Sequence, residues 1–144
     1  MLTHEELKQI SDLIADIEKH TAGEIRVVLQ KKKHFFERKK SVFDLAVHEF
    51  RRLKMDRTDR RSGVLIFVLE KDREFQILGD VEITKKIQPE EWNQMAKKLT
   101  THFQHQGYLT GIKELTQEIG RKLIVEFPVV KKNSNELPND VILR

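Results

Sequence analysis

The side chains best suited to chemistry fall into three short polar clusters: Thr21-Ala22-Gly23-Glu24, the run from Met55 to Gly63, and Leu78-Gly79-Asp80. They hold the carboxylates Glu24, Asp56, Asp59 and Asp80 beside the guanidiniums Arg57, Arg60 and Arg61. Carboxylates are hard oxygen donors, and a guanidinium presents a fork of N–H groups that fits phosphate oxygens. The first two clusters stand just before apolar, strand-like runs and the third just after one. If the first two strands are parallel and the third returns as a hairpin, all three clusters share one edge of a sheet. These residue types mark a place to look for function without naming a reaction. The sequence has no Walker loop, no Cys-x5-Arg loop and no Asp-x-Asp phosphatase motif.

The elements that must position the clusters are legible from periodicity. Thr3 and Glu6 fit a capping box, and Leu7, Ile10, Leu13, Ile14 and Ile17 then recur at helical spacing. Gly23 reads as the break after this helix, a residue that takes positive φ cheaply. Ile25, Val27 and Leu29 alternate with Arg26, Val28 and Gln30 as in a strand. A helix is expected over 41–54, burying Phe43, Ala46, Val47, Phe50 and Leu53. The unbroken apolar run 63–69 suits a central strand covered on both faces. Lys71-Asp72 is its turn, and 74–78 the returning strand of a hairpin.

Asp80 stands where it can cap a short helix over 81–87. Pro89-Glu90-Glu91 starts another helix, with proline and acids in its first turn. Ile112, Leu115, Ile119, Leu123 and Phe127 mark the last one. The connection between the first two strands contains a helix, so a right-handed parallel crossover is expected. The fold class is therefore α/β: a three-layer α/β/α sandwich whose small mixed sheet carries helices on both faces. Residues 1–128 form one domain, and 129–144 a polar, loosely packed C-terminal tail.

Composition sets bounds on function. At 144 residues the chain can bury roughly 70% of its unfolded surface. It has no cysteine, which removes disulfides, thiolate metal sites and cysteine nucleophiles. No apolar run approaches the ~20 residues that span a bilayer. The acidic start, Met1 to Glu6, is unlike a signal peptide, so a soluble, cytoplasmic, monomeric protein is expected. The net charge of +4 is mild for an obligate nucleic-acid binder. The six histidines show no zinc spacing, and Gly107 and Gly111 follow a helix rather than a strand, unlike a phosphate loop.

At its three clusters the sequence resembles the TPM domain family, which includes thylakoid-lumen acid-phosphatase-like proteins and related bacterial proteins. Thr21-Ala22-Gly23-Glu24-Ile25-Arg26-Val27 is similar to the family's T-x-G-E-I-x-V start. Met55-Asp56-Arg57-Thr58, followed by Arg61-Ser62-Gly63-Val64-Leu65-Ile66, resembles its M-x-x-T…R-x-G-V-L-I segment. Ile77-Leu78-Gly79-Asp80 resembles its I-x-G-D exit, and Asn135-Glu136-Leu137-Pro138 a tail motif of short cytoplasmic members. The resemblance implies an α/β/α sandwich, a divalent-cation site usually discussed as calcium, and a weak phosphatase activity in some members. Many members are exported and membrane-tethered.

On that reading Asp56 and Asp80 are the first metal-ligand candidates, with Glu24 and Asp59 as further donors. Arg57, Arg61 and Thr58 are candidates for holding a phosphate or other anion. Each has a plainer reading. Asp80 could serve as a helix cap, Asp56 as the Asx turn ending the second helix, Glu24 as an arginine's partner and Asp59 as a solvated acid. The arginines could serve only to neutralise these acids. No catalytic residue is identified.

The cofactor expected is Ca2+ or another divalent cation. The partners expected are that cation, a phosphorylated ligand or another protein, with nucleic acid disfavoured. The rival reading is a non-enzymatic adaptor for proteins or membrane surfaces. It draws on the acidic edge or on the basic run Lys31 to Lys40, whose Phe35 and Phe36 are otherwise expected to tuck under the sheet.

Overall fold

The structure is a computed structural model that describes residues 2–129 and 139–144. The Thr3 hydroxyl accepts from the Glu6 amide at 3.1 Å while the Glu6 carboxylate accepts from the Thr3 amide at 2.8 Å. This reciprocal cap starts α1 (His4–Glu18). The chain continues through β1 (Glu24–Gln30), α2 (Val42–Arg52), β2 (Gly63–Leu69), β3 (Glu74–Gly79), α3 (Val81–Lys86), α4 (Pro89–Gln104), α5 (Tyr108–Glu126) and β4 (Ile142–Leu143).

The strands lie in the order β3-β2-β1-β4. β1 runs parallel to β2 with Glu24 opposite Gly63, and β3 runs antiparallel to β2 with Gly79 opposite Val64. The starts of β1 and β2 and the end of β3 therefore share one edge of the sheet. Strand alternation sends successive side chains to opposite faces. Val27, Leu29, Ile66 and Val68 join the core under α1, α4 and α5. Val28, Leu65, Phe67 and Leu69 meet Leu45, Ala46 and Phe50 of α2. The result is the three-layer arrangement expected of the sequence.

Four details add to or depart from sequence expectation. First, β1 is buried along its whole length, because β2 and β4 flank it and helices cover both faces. Second, the tail is not wholly loose. Val28 and Leu29 of β1 pair in parallel with Ile142 and Leu143, and the Arg144 amide donates to the Leu29 carbonyl at 2.9 Å. The Asn135–Pro138 motif lies outside the described residues.

Third, α2 buries Leu45, Ala46, Glu49 and Phe50, and leaves Phe43 half exposed. Fourth, Gly23 does not use positive φ. It is needed for closeness, since a Cβ there would stand 2.6 Å from Leu123 Cδ2.

Candidate functional site

The first cluster is a clasp rather than a donor group. The Thr21 hydroxyl reaches the carbonyls of Leu123 and Phe127 at the end of α5, and accepts from the Gly23 amide at 3.0 Å. It adds a second bond to carbonyls that already accept from the Phe127 and Ala22 amides, and Gly23 lets β1 approach Leu123. Glu24, which begins β1, is 1% exposed. It lies beside Glu18, whose carboxylate accepts from the Ile25 amide at 2.8 Å.

Burial, and next the Glu24 charge, push the Glu18 carboxyl up to about 9. Arg26 is the nearby cation: burial lowers its pKa, while attraction by Glu18 and Glu24 opposes that. Pairing of Glu24 with an arginine was expected; its closeness to a second buried carboxyl was not.

The second and third clusters meet. Met55, fully buried, pins a single 3-10 turn, Met55–Arg57, behind α2. The chain then doubles back, with the Arg61 amide donating to the Thr58 carbonyl at 3.2 Å. Arg61 sits in the left-handed region at φ 51°, a conformation costly for a residue with a Cβ. Its guanidinium grips Asp80 with two bonds, Nε to Oδ2 at 2.7 Å and the terminal nitrogen to Oδ1 at 3.0 Å. Its carbonyl accepts from the Glu82 amide at 3.0 Å. Side chain and backbone of one strained arginine thus staple the loop before β2 to the start of α3.

Asp80, 5% exposed, also accepts from the Val81 amide at 2.7 Å. The helix-capping role expected of it is present. Its hydrogen bonds and charge hold the Arg61 pKa above the ordinary value, and the charges of Asp56 and Glu82 add to this. Asp56 and Asp80 therefore act on the same guanidinium.

Asp56 Oδ1 and Thr58 Oγ1 are buried without a hydrogen-bond partner. That leaves no role for Asp56 Oδ1 in an Asx turn. Buried polar atoms are nearly always paired, so two orphans two positions apart at one edge are unusual. Arg57, Asp59 and Arg60 are exposed. Of the predicted donors, Asp56, Thr58, Arg61 and Asp80 gather at this edge, while Glu24 engages Glu18 and Arg26.

Among the described residues no group of three or more His, Cys, Asp or Glu side chains is placed to hold a metal ion. Among them also, no helix is long and apolar enough to cross a membrane. His102 Nε2 lies 2.7 Å from Glu114, so it joins α4 to α5.

Among the described residues, Glu18, Arg26, Glu37 and Glu49 are buried charged residues that sequence reasoning missed. Glu18 carried a signal: it stands four residues after Ile14, on the stripe that α1 buries.

The family model of the TPM domain matches residues 1–122. Among solved structures, the chain is similar to the BA42 protein of the psychrophilic bacterium Bizionia argentinensis. That match has 36% identity and a TM-score of 0.87, covering 100% of this chain and 96% of that one. It is also similar to the N-terminal domain of a protein from P. gingivalis. There the identity is 13% and the TM-score 0.73, covering 88% of this chain and 78% of that one, so this likeness speaks for the fold alone. No curated protein matches the chain.

Proposed function

The chain belongs to the TPM domain family, and on that premise we propose that the edge formed by Asp56, Thr58 and Asp80 binds a divalent cation, with calcium the best fit. The observation that carries the reading is the buried Asp56 Oδ1 with no partner, beside the equally unpartnered Thr58 Oγ1. Both are hard oxygen donors, and calcium accepts carboxylates, hydroxyls, backbone carbonyls and water in flexible geometry. Asp80 is the second carboxylate.

Arg61 is the counter-ion that holds this edge when no cation is bound, paired to Asp80 and attracted by Asp56. A donor set of two carboxylates points to weak binding, with a Kd on the order of 1 mM. A bound cation would supply Lewis acidity at a phosphoryl oxygen. Arg57, exposed beside the loop, would meet such an anion from solvent. Hydrolysis of a phosphate ester is the further step of this reading. It requires that any activity on p-nitrophenyl phosphate disappear in Asp56→Asn.

Thermal unfolding with and without 10 mM Ca2+ is the test. Binding with a Kd on the order of 1 mM adds roughly 1.4 kcal/mol, which is about 3–6 °C for a chain of this size. The shift should vanish in Asp56→Asn and Asp80→Asn. Arg61→Gln should lower the starting Tm yet enlarge the calcium shift, because it removes a competing charge. No shift in the unmodified protein, or an equal shift in all variants, overturns the proposal.

A further inference from the structure

At the other end of the sheet the chain does something a plain loop has no need to do. Phe35 and Phe36 follow β1 and are 80% and 76% exposed. They do not tuck under the sheet, as sequence reasoning expected. The turn that carries them is fastened from below. Glu37, 9% exposed, accepts from Gln30 Nε2 and from the His34 amide, both at 2.9 Å. The Lys40 amide donates back to the Glu37 carbonyl at 2.8 Å. A buried carboxylate thus holds a single 3-10 turn, Phe35–Glu37, that points two phenyl rings at solvent. Exposed aromatic patches of this kind mark interaction sites.

The surrounding charge says what the partner is made of. Lys31, Lys32, Lys33, Arg38, Lys39 and Lys40 crowd the same ten residues, with Glu37 the one acid. That is more positive charge than the whole chain's net +4. All six but Lys33 are exposed, and Lys33 is partly so.

Each ring is already covered on one face by a basic group. The Arg38 guanidinium carbon lies 4.2 Å from the centre of the Phe35 ring, and the His34 imidazole stacks on Phe36 at 5.7 Å and 16°. A base-stacking platform needs open faces, and with one face of each ring taken the two rings leave only half of one, so nucleic acid fits less well. Ring edges flanked by cations fit a bilayer surface. Aromatic rings settle at the headgroup level there, and lysine stems reach outward to lipid phosphate. β1 spans about 20 Å, which separates this end from the acidic edge.

We propose that the turn Phe35–Glu37, with its ring of lysines and Arg38, docks this domain onto an anionic lipid bilayer by inserting Phe35 and Phe36. The two residue types make separable contributions. Each lysine or arginine near such a surface multiplies partitioning about fivefold. Each inserted phenyl ring adds about tenfold or more, and that part persists when salt screens the charges.

The test is vesicle flotation with the full chain, using phosphatidylcholine alone and phosphatidylcholine with 30% phosphatidylserine. The protein should float with the anionic vesicles only. Phe35→Ser/Phe36→Ser should lose about a hundredfold in partitioning, with thermal unfolding unchanged because both rings are already in water. Lys31→Gln/Lys32→Gln/Lys39→Gln/Lys40→Gln should lose at least as much.

Insertion has its own readout. Phe36→Trp, in a Trp92→Phe background, should show a blue-shifted emission on binding. Equal binding to neutral vesicles, binding untouched by the phenylalanine substitutions, or an unshifted emission overturns the proposal. So does retention of single-stranded oligonucleotides with no vesicle binding. None of these variants touches the acidic edge, so the calcium reading stands or falls separately.

Discussion

Glutamine in place of Glu18 should make this protein's stability markedly less sensitive to pH. The Glu18 carboxyl is 3% exposed and accepts from the Ile25 amide at 2.8 Å. Burial and the neighbouring Glu24 charge raise it from 4.5 to about 9. The folded state therefore holds a proton that the unfolded state releases above pH 4.5. Stability is full below that pH and falls as pH rises, levelling off near 9, because the folded state binds more protons throughout the interval.

The slope is about 1.4 kcal/mol per pH unit, so roughly 3 kcal/mol is lost by pH 7. Glu18→Gln keeps an oxygen for the Ile25 amide and places an N–H donor beside Glu24. It cannot ionise, so it escapes the loss. Urea denaturation followed by the fluorescence of Trp92, the only tryptophan, measures both proteins at pH 5, 6, 7 and 8. All other titrating groups are shared, so the difference between the two curves reports Glu18 together with the Glu24 carboxyl beside it. The variant's advantage should widen steadily from pH 5 to 8. A constant difference would mean that Glu18 is ionised in the folded protein, and the reasoning about its burial would be refuted.

Other perturbations follow from the same geometry. Gly23→Ala should cost about 1–3 kcal/mol by overpacking, since the new Cβ would stand 2.6 Å from Leu123 Cδ2; Leu123→Val in the same chain should recover part of it in a denaturation curve. Asp80→Ala should lose about 1 kcal/mol from the missing α3 cap alone, and Asp80→Asn less, as read by Tm without added metal. Arg144→Ala removes the 3.1 Å partner of Glu49, whose Oε2 already lacks one. The expected loss of about 1–3 kcal/mol should shrink when Glu49→Gln is added.

The sequence revealed those parts of the fold where local chemistry and tertiary packing agree. Thr3 and Glu6 form the cap their spacing predicts, and the unbroken run 63–69 is a doubly covered strand. The crossover between β1 and β2 and the hairpin into β3 brought Asp56 and Asp80 to one edge, and Asp80 caps α3. The full burial of β1 was not legible, because Glu24, Arg26 and Gln30 alternate with apolar residues, the usual pattern of a half-exposed strand. Those polar residues are instead buried, Glu24 and Arg26 near Glu18 and Gln30 bonded to Glu37. No periodicity encodes such pairings between one element and the next.

β4 was lost for another reason. Two paired residues after a polar stretch carry too little alternation to be told from coil. The exposure of Phe35 and Phe36 was also out of reach. Apolar residues are expected inside, and only the tertiary anchoring of Glu37 by Gln30 turns them outward.

The most direct measurement of the central claim is a calcium titration followed by amide chemical shifts in the unmodified protein. The account predicts saturable shifts at millimolar Ca2+, confined to residues 56–62 and 80–82 and absent in Asp56→Asn. Unchanged spectra at 10 mM Ca2+, or shifts gathered around Glu18 and Glu24 instead, would contradict it.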